Sequence, residues 1–195
     1  MLTDRLKDYK IILGSASPRR RELLSSLGID FEVADPDINE ECPPGIPPEE
    51  TAVYLALEKA ASLNIGPGSR KILITADTIV LCDNTLLPKP AGREEAISFL
   101  RMLSGRKHSV ITGVCISLGE RRRTFSAETV VTFCDIDDEE IEYYVDTYKP
   151  YDKAGAYGIQ EWIGFVAMEK IEGSYFNVMG LPVNRLYREL KDFIK

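Results

Sequence analysis

The stretch Ile11-Ile12-Leu13-Gly14-Ser15-Ala16-Ser17-Pro18-Arg19-Arg20-Arg21-Glu22-Leu23-Leu24 decides how this chain is read. Ile11 to Leu13 form a short apolar run that reads as a buried strand. Gly14, Ser15 and Ala16 are small enough for backbone to approach a ligand. Ser17 is a good N-cap and Pro18 suits the first helical position, so a helix begins there, with Leu23, Leu24 and Leu27 as its buried stripe. Arg19, Arg20 and Arg21 then crowd a helix end that already carries partial positive charge and free N–H donors. An anion relieves that conflict, and a strand, a small-residue loop, a capped helix and guanidinium forks together describe a phosphate cradle. A capped surface helix with solvated arginines accounts for the same residues, but local conflict of this kind favours the anion site.

Composition narrows the partners. The chain has 195 residues, 44% hydrophobic and 28% charged, with a net charge of −7. That suits one domain or two small lobes sharing a cleft. An acidic chain lacks the basic field that broad nucleic-acid or anionic-membrane binding needs, so a local arginine cluster suits a small anionic ligand. There is no signal-peptide core and no apolar run long enough to span a bilayer, so a cytoplasmic protein is expected. Cys42, Cys82, Cys115 and Cys134 form no C-x-x-C pair and read as free thiols. His108 is the only histidine, which excludes H-E-x-x-H zinc chemistry and points to a carboxylate as general base.

Residues 31–48 read as a short strand and a Pro-rich loop carrying Glu40 and Glu41, carboxylates that by themselves suggest only solvation. A helix is expected from about Glu49 to Leu63, with Val53, Leu57, Ala60 and Ala61 on one face and Lys59 pointing away from it, as a solvated lysine does or as one that faces a cleft. Ile72 to Cys82 reads as a central strand, and Asp77 sits in its middle. An unpaired buried carboxylate costs several kcal/mol (about 2–7 for a polar group alone), so Asp77 is either paired with a lysine or arginine or serves as a ligand for metal and water. The second is preferred because perturbed carboxylates cluster at functional sites.

Pro88-Lys89-Pro90 fixes a lysine in a stiff loop, a pattern a hairpin tip shares. Ala96, Phe99, Leu100 and Leu103 make a helix face that ends near Ser104-Gly105. Residues 109–118 and 124–134 alternate as strands, with Gly119 to Arg123 as a solvated connecting turn. Asp137 and Glu140 suit a capping box for a helix through about Tyr148. Asp152 to Gln160 is too rich in glycine and alanine for a packed element. It reads equally as backbone against a flat ligand or as a connection under a sheet, and Gln160 offers the donor and acceptor that a base edge can engage. A closing strand over Phe165–Ile171, a Gly173-Ser174-Tyr175 turn and a helix from Pro182 complete the chain.

Ser15-Ala16-Ser17-Pro18-Arg19-Arg20 with Glu22-Leu23-Leu24 resembles the opening signature of the Maf family of nucleoside triphosphate pyrophosphatases. The likeness extends through Ala76-Asp77-Thr78, Lys89-Pro90, Leu103-Ser104-Gly105 with His108, Thr112-Gly113-Val114, Asp152 to Gln160, Gly173-Ser174-Tyr175 and Gly180-Leu181-Pro182. The resemblance implies a single domain over residues 1–195. Its fold would be α/β, of the Maf and ITPase type: a mixed twisted sheet with flanking helices and two lobes around a central cleft. It implies hydrolysis of a nucleoside triphosphate to monophosphate and pyrophosphate with a divalent cation, Mg²⁺ first and Mn²⁺ second. The family is often dimeric, so a homodimer is among the assemblies implied.

Carried over by position, Asp77 is the general base and, with Glu40, a metal ligand. Ser15, Arg19, Arg20, Lys59 and Lys89 line the phosphate site, and Arg19, Thr78 and Gln160 set specificity. The Tyr-Gly-Ile-Gln form resembles the branch acting on dTTP and UTP. A nucleotide-binding regulator of septum formation with little hydrolysis is the alternative. Three positions depart from the family pattern: Lys149 in Tyr148-Lys149-Pro150 replaces an acid, Pro88 replaces a glycine, and Glu161 replaces the glycine after the glutamine. These bear on fine specificity and metal affinity, not on the reaction class.

Overall fold

The structure is a computed structural model that describes residues 1–39, 42–43, 45–63, 65–66, 68 and 70–195. In chain order the elements are α1 (Leu2–Leu6), β1 (Lys10–Gly14), α2 (Pro18–Ser25), β2 (Glu32–Ala34), α3 (Thr51–Ser62), β3 (Lys71–Cys82), β4 (Thr85–Leu87) and α4 (Arg93–Leu103). There follow β5 (Lys107–Leu118), β6 (Arg121–Phe133), α5 (Asp138–Tyr148), α6 (Trp162–Val166), β7 (Met168–Glu172), α7 (Tyr175–Val178) and α8 (Val183–Phe193). The strands form one seven-stranded mixed sheet in the order β2-β1-β3-β5-β6-β7, with β4 paired to β3. The expected α/β class with flanking helices is what the chain adopts. Among the described residues no helix is long and apolar enough to cross a membrane.

The chain divides into two compact units: residues 1–77, 112–127 and 180–195, and residues 78–111 and 128–179. In the first, β1 pairs in parallel with both β2 and β3, with Gly14 opposite Thr75. Burial of Leu13, Leu24, Ile72 and Ile74 drives this packing, at about 1.5–3 kcal/mol per side chain. The Ser17 cap, whose hydroxyl accepts from the Arg20 N–H at 3.4 Å, adds about 1 kcal/mol. Burial therefore holds α2, and the cap fixes where it starts.

Helix α3 lies on the face of β3 that carries Leu73, Thr75 and Asp77. Leu73 packs with Ala56 and Ala60, and the Thr75 hydroxyl donates to the Ala56 carbonyl at 2.6 Å. Gly113 of β5 gives the helix room, because a Cβ there would overlap the backbone of Ala52 and Val53. The buried face of α3 is Thr51, Ala52, Leu55, Ala56, Lys59 and Ala60, which shares only Ala60 with the expected Val53, Leu57, Ala60 and Ala61. A repeat of four, Thr-Ala, Leu-Ala, Lys-Ala, sets that face. Its small residues matter more than hydropathy because a close helix–sheet approach selects them.

The second unit packs Val80, Leu87, Leu100, Leu103, Phe133, Tyr144, Tyr157 and Ile163 into one core. Strand β4, not anticipated from the sequence, pairs antiparallel with β3 through Asp83 and Asn84. Both residues have positive φ, as a two-residue type I′ hairpin requires. Helix α5 begins with the expected capping box of Asp137 and Glu140. Ser104 of the Leu-Ser-Gly motif clamps Ile136, donating to its carbonyl at 3.2 Å and accepting from its N–H at 2.8 Å.

Two boundaries differ from expectation. Arg121–Arg123 belong to β6 rather than to a turn: Arg121 lies over the Phe193 ring and Arg123 pairs with Glu189 at 3.2 Å. Their partners on α8 extend the strand. Phe165 and Val166 end α6 instead of opening a strand, because Ile163 and Gly164 are buried there, and a Cβ on Gly164 would overlap the Ile159 backbone.

Candidate active site

In the first unit, sequence order and register bring two pairs of polar side chains to one end of the parallel strands. Strand β1 ends at Gly14 opposite Thr75, so Ser15 opens the loop just where β3 reaches Asp77. The carboxyl ends of parallel strands are where α/β folds place ligands.

Ser15 Oγ accepts from Arg20 at 3.3 Å and from the Ser17 N–H at 3.2 Å. Arg20, 9% exposed, also donates through Nε to the Gly180 carbonyl at 2.8 Å. The three arginines at the helix start thus divide. Arg20 is buried and fixed, Arg19 is half-buried, and Arg21 is exposed with its guanidinium folded back on the Ala16 carbonyl at 3.4 Å. A guanidinium held on two sides loses little freedom on gripping an anion, which is what a phosphate cradle needs.

The second pair is Lys59 and Asp77. Lys59 Nζ donates to Asp77 Oδ1 at 2.5 Å, and the two residues are 5% and 7% exposed. Lys59 lies on the buried face of α3 that packs on β3, and its four-carbon stem carries the ammonium to the sheet. The sequence left open whether Asp77 is paired with a cation or serves chemistry. The structure supplies the cation. Removing one partner from such a buried pair costs about 3–5 kcal/mol, whereas the intact pair stabilises little, so stability alone does not account for it.

Glu40 lies outside the described residues. Among the described residues, no group of three or more His, Cys, Asp or Glu could hold a metal ion by itself. One carboxylate is nevertheless a suitable donor set for Mg²⁺, which keeps several waters and binds through one or two carboxylates plus substrate phosphates.

The second unit holds the other expected residues. Thr78 is half-buried and Lys89 exposed, the latter in the loop after β4. Gln160 is half-buried, yet its Oε1 is buried and, among the described residues, has no hydrogen-bond partner. A buried acceptor without a donor is costly unless a ligand supplies one.

Sequence reasoning missed three residues here. Lys153 is 8% exposed and binds Asp152 at 2.8 Å and Glu161 at 3.1 Å. Tyr144 donates to the other Glu161 oxygen. Asn177 is buried and donates to the Val110 carbonyl and to Thr129 Oγ1, both at 3.0 Å. Only Glu161 had carried a signal, as a charged residue where the family pattern has glycine.

His108 is structural. Its Nε2 lies 2.8 Å from the Tyr157 hydroxyl, the ring meets Phe133 and Tyr157 edge-on, and burial lowers its pKa to about 4. All four cysteines are free, and burial pushes the Cys42, Cys82 and Cys115 thiols up, away from nucleophilic use.

The family model described as Maf-like protein matches residues 10–193. The chain belongs to the Maf family. This Maf protein is 56% identical to a dTTP/UTP pyrophosphatase of Porphyromonas gingivalis, over 98% of each chain. It is 54% identical to a dTTP/UTP pyrophosphatase of Bacteroides fragilis, over 95% of this chain and 97% of the relative. A solved nucleoside-triphosphatase / dITP/XTP pyrophosphatase from Mycobacterium abscessus aligns with 65% of this Maf chain and 75% of its own, at a TM-score of 0.42 and 15% identity.

Proposed function

We propose that this Maf protein is a nucleoside triphosphate pyrophosphatase acting on dTTP and UTP, a single-domain cytoplasmic enzyme. The observation that carries the reading is the buried Lys59–Asp77 pair, set in the same unit as the buried, fixed guanidinium of Arg20. A buried lysine on a carboxylate, with a second buried cation in the same unit, suits a polyanion that is attacked by water. The names of the 56% and 54% identical relatives support the same substrate class.

In this mechanism Ser15, Arg19, Arg20, Lys59 and Lys89 bind the phosphate oxygens and neutralise their charge. Asp77 accepts the proton of a water that attacks the α-phosphorus. Lys59 holds Oδ1, so Oδ2 is the oxygen assigned to that proton. The new bond joins the water oxygen to the α-phosphorus, the α–β bridging bond breaks, and pyrophosphate departs with its electron pair. Asp77, with Glu40, would hold a divalent metal, whose chemistry when bound is charge neutralisation and acidification of water. Arg19, Thr78 and Gln160 set the choice of base. The Gln160 Oε1 meets the N3–H of uracil or thymine while its amide N–H donates to O4.

The test is a panel of nucleoside triphosphates with Mg²⁺ and with Mn²⁺, and separate detection of pyrophosphate and orthophosphate. Pyrophosphate from dTTP and UTP ahead of CTP and the purines is the expected result. Orthophosphate as first product overturns the reaction class, and tight triphosphate binding without product favours the regulator.

A further inference from the structure

Gly158, Ile159, Gln160 and Glu161 form a turn closed by the Glu161 N–H on the Gly158 carbonyl at 2.9 Å. Both ends of that turn are tied to one phenol. Tyr144, buried on α5, accepts from the Gly158 N–H at 3.0 Å and donates to Glu161 Oε2. The other Glu161 oxygen lies 3.1 Å from Lys153 Nζ. The carboxylate packs so closely over Gly158 that a Cβ there would lie 2.7 Å from its carbon. Ile159 is buried. The turn is thus held at its first, second and fourth residues, and the third is Gln160, with its buried amide oxygen unpaired among the described residues.

Resting on the reading of Gln160 as the base-choosing residue, we propose that Tyr144, Glu161 and Lys153 form a clamp that positions Gln160 and so determines uracil-type over cytosine-type selectivity. The physical need is specific. An amide turned over presents its acceptor and donor in the opposite order, which suits cytosine. Discrimination therefore depends on holding the side chain in one pose. A carboxylate at position 161 can accept from Tyr144 and Lys153 together, which the glycine of the family pattern cannot. Here the departure at Glu161 is a device for rigidity, and the three residues act through Gln160 without touching substrate.

The test compares the parent with Tyr144→Phe and Glu161→Gln, with Lys153→Arg as the conservative variant. Three measurements are made: kcat and KM for UTP and CTP, amide hydrogen exchange across residues 157–163, and thermal melting. Tyr144→Phe should speed exchange of the turn amides and lower the UTP-to-CTP ratio of kcat/KM roughly tenfold, with the loss falling on KM more than on kcat. Glu161→Gln should act in the same direction and Lys153→Arg should retain most of the ratio. Faster exchange with an unchanged ratio overturns the clamp as a selectivity device. Unchanged exchange overturns it as a clamp. A parent without base preference overturns the Gln160 reading and this inference with it. A selective parent whose variants remain equally selective overturns the clamp alone.

Discussion

Lys59 on α3 and Asp77 on β3, 18 residues apart in sequence, meet at 2.5 Å inside one unit. In the proposed mechanism the pair would supply two groups: a cation for phosphate and a carboxylate for a proton. Each group costs desolvation on its own, and pairing offsets part of that cost until a substrate arrives.

Asp77→Asn keeps the size of the side chain and an acceptor for Lys59, so the fold should survive. Turnover should fall by roughly 10²-fold or more, because the group that takes the water proton is gone. Pyrophosphate release under saturating UTP, with melting as control, measures this. Parent-like turnover would mean that the carboxylate serves the pair and not the reaction.

Arg20→Ala should weaken triphosphate binding far more than nucleoside binding, since only the former offers phosphate to the guanidinium. It also removes the bonds to Ser15 and the Gly180 carbonyl, so stability should drop by about 1–3 kcal/mol. Calorimetric titration with UTP and with uridine separates the two effects, and equal losses for both ligands would remove Arg20 from the phosphate site.

Gln160→Glu replaces the amide donor by an acceptor and loses the bond to O4. The kcat/KM for UTP should fall, changing discrimination among bases by about 1–3 kcal/mol. Steady-state kinetics on UTP, CTP and GTP reads the change. An unaltered ranking would place base choice elsewhere.

His108 makes stability depend on pH. Its ordinary value of 6.5 holds in the unfolded chain, and burial lowers it to about 4 in the folded one. Between these values the unfolded chain takes up a proton that the folded chain does not. Stability is therefore complete above about pH 6.5, falls as the pH drops toward 4, and levels off below. The loss from pH 7.5 to 5 should be about 2 kcal/mol. Urea unfolding at the two pH values, in the parent and in His108→Gln, checks it: the variant should lose that part of the slope, and equal slopes would assign the dependence to other groups.

Local pattern alone determined much of this protein. The Ile11–Leu13 strand, the Ser17-Pro18 helix start, the Asp137–Glu140 capping box and the apolar face of α4 are each written within a few residues, because caps and amphipathic periods are short-range effects. That Asp77 could not rest unpaired was also legible, since a carboxylate in an apolar strand is a local contradiction. Its partner was not. Lys59 reads as a solvated lysine until α3 docks through its small residues, and Arg20 looks like one of three equal arginines until Gly180, 160 residues on, accepts from it. The same holds for Arg121 and Arg123, drawn into β6 by α8, and for the turn carrying Gln160, fixed by Tyr144. Sequence set which groups could not rest unpaired; only packing between distant segments decided what each one met, because a buried charge or donor is satisfied by whatever the fold brings within about 3 Å.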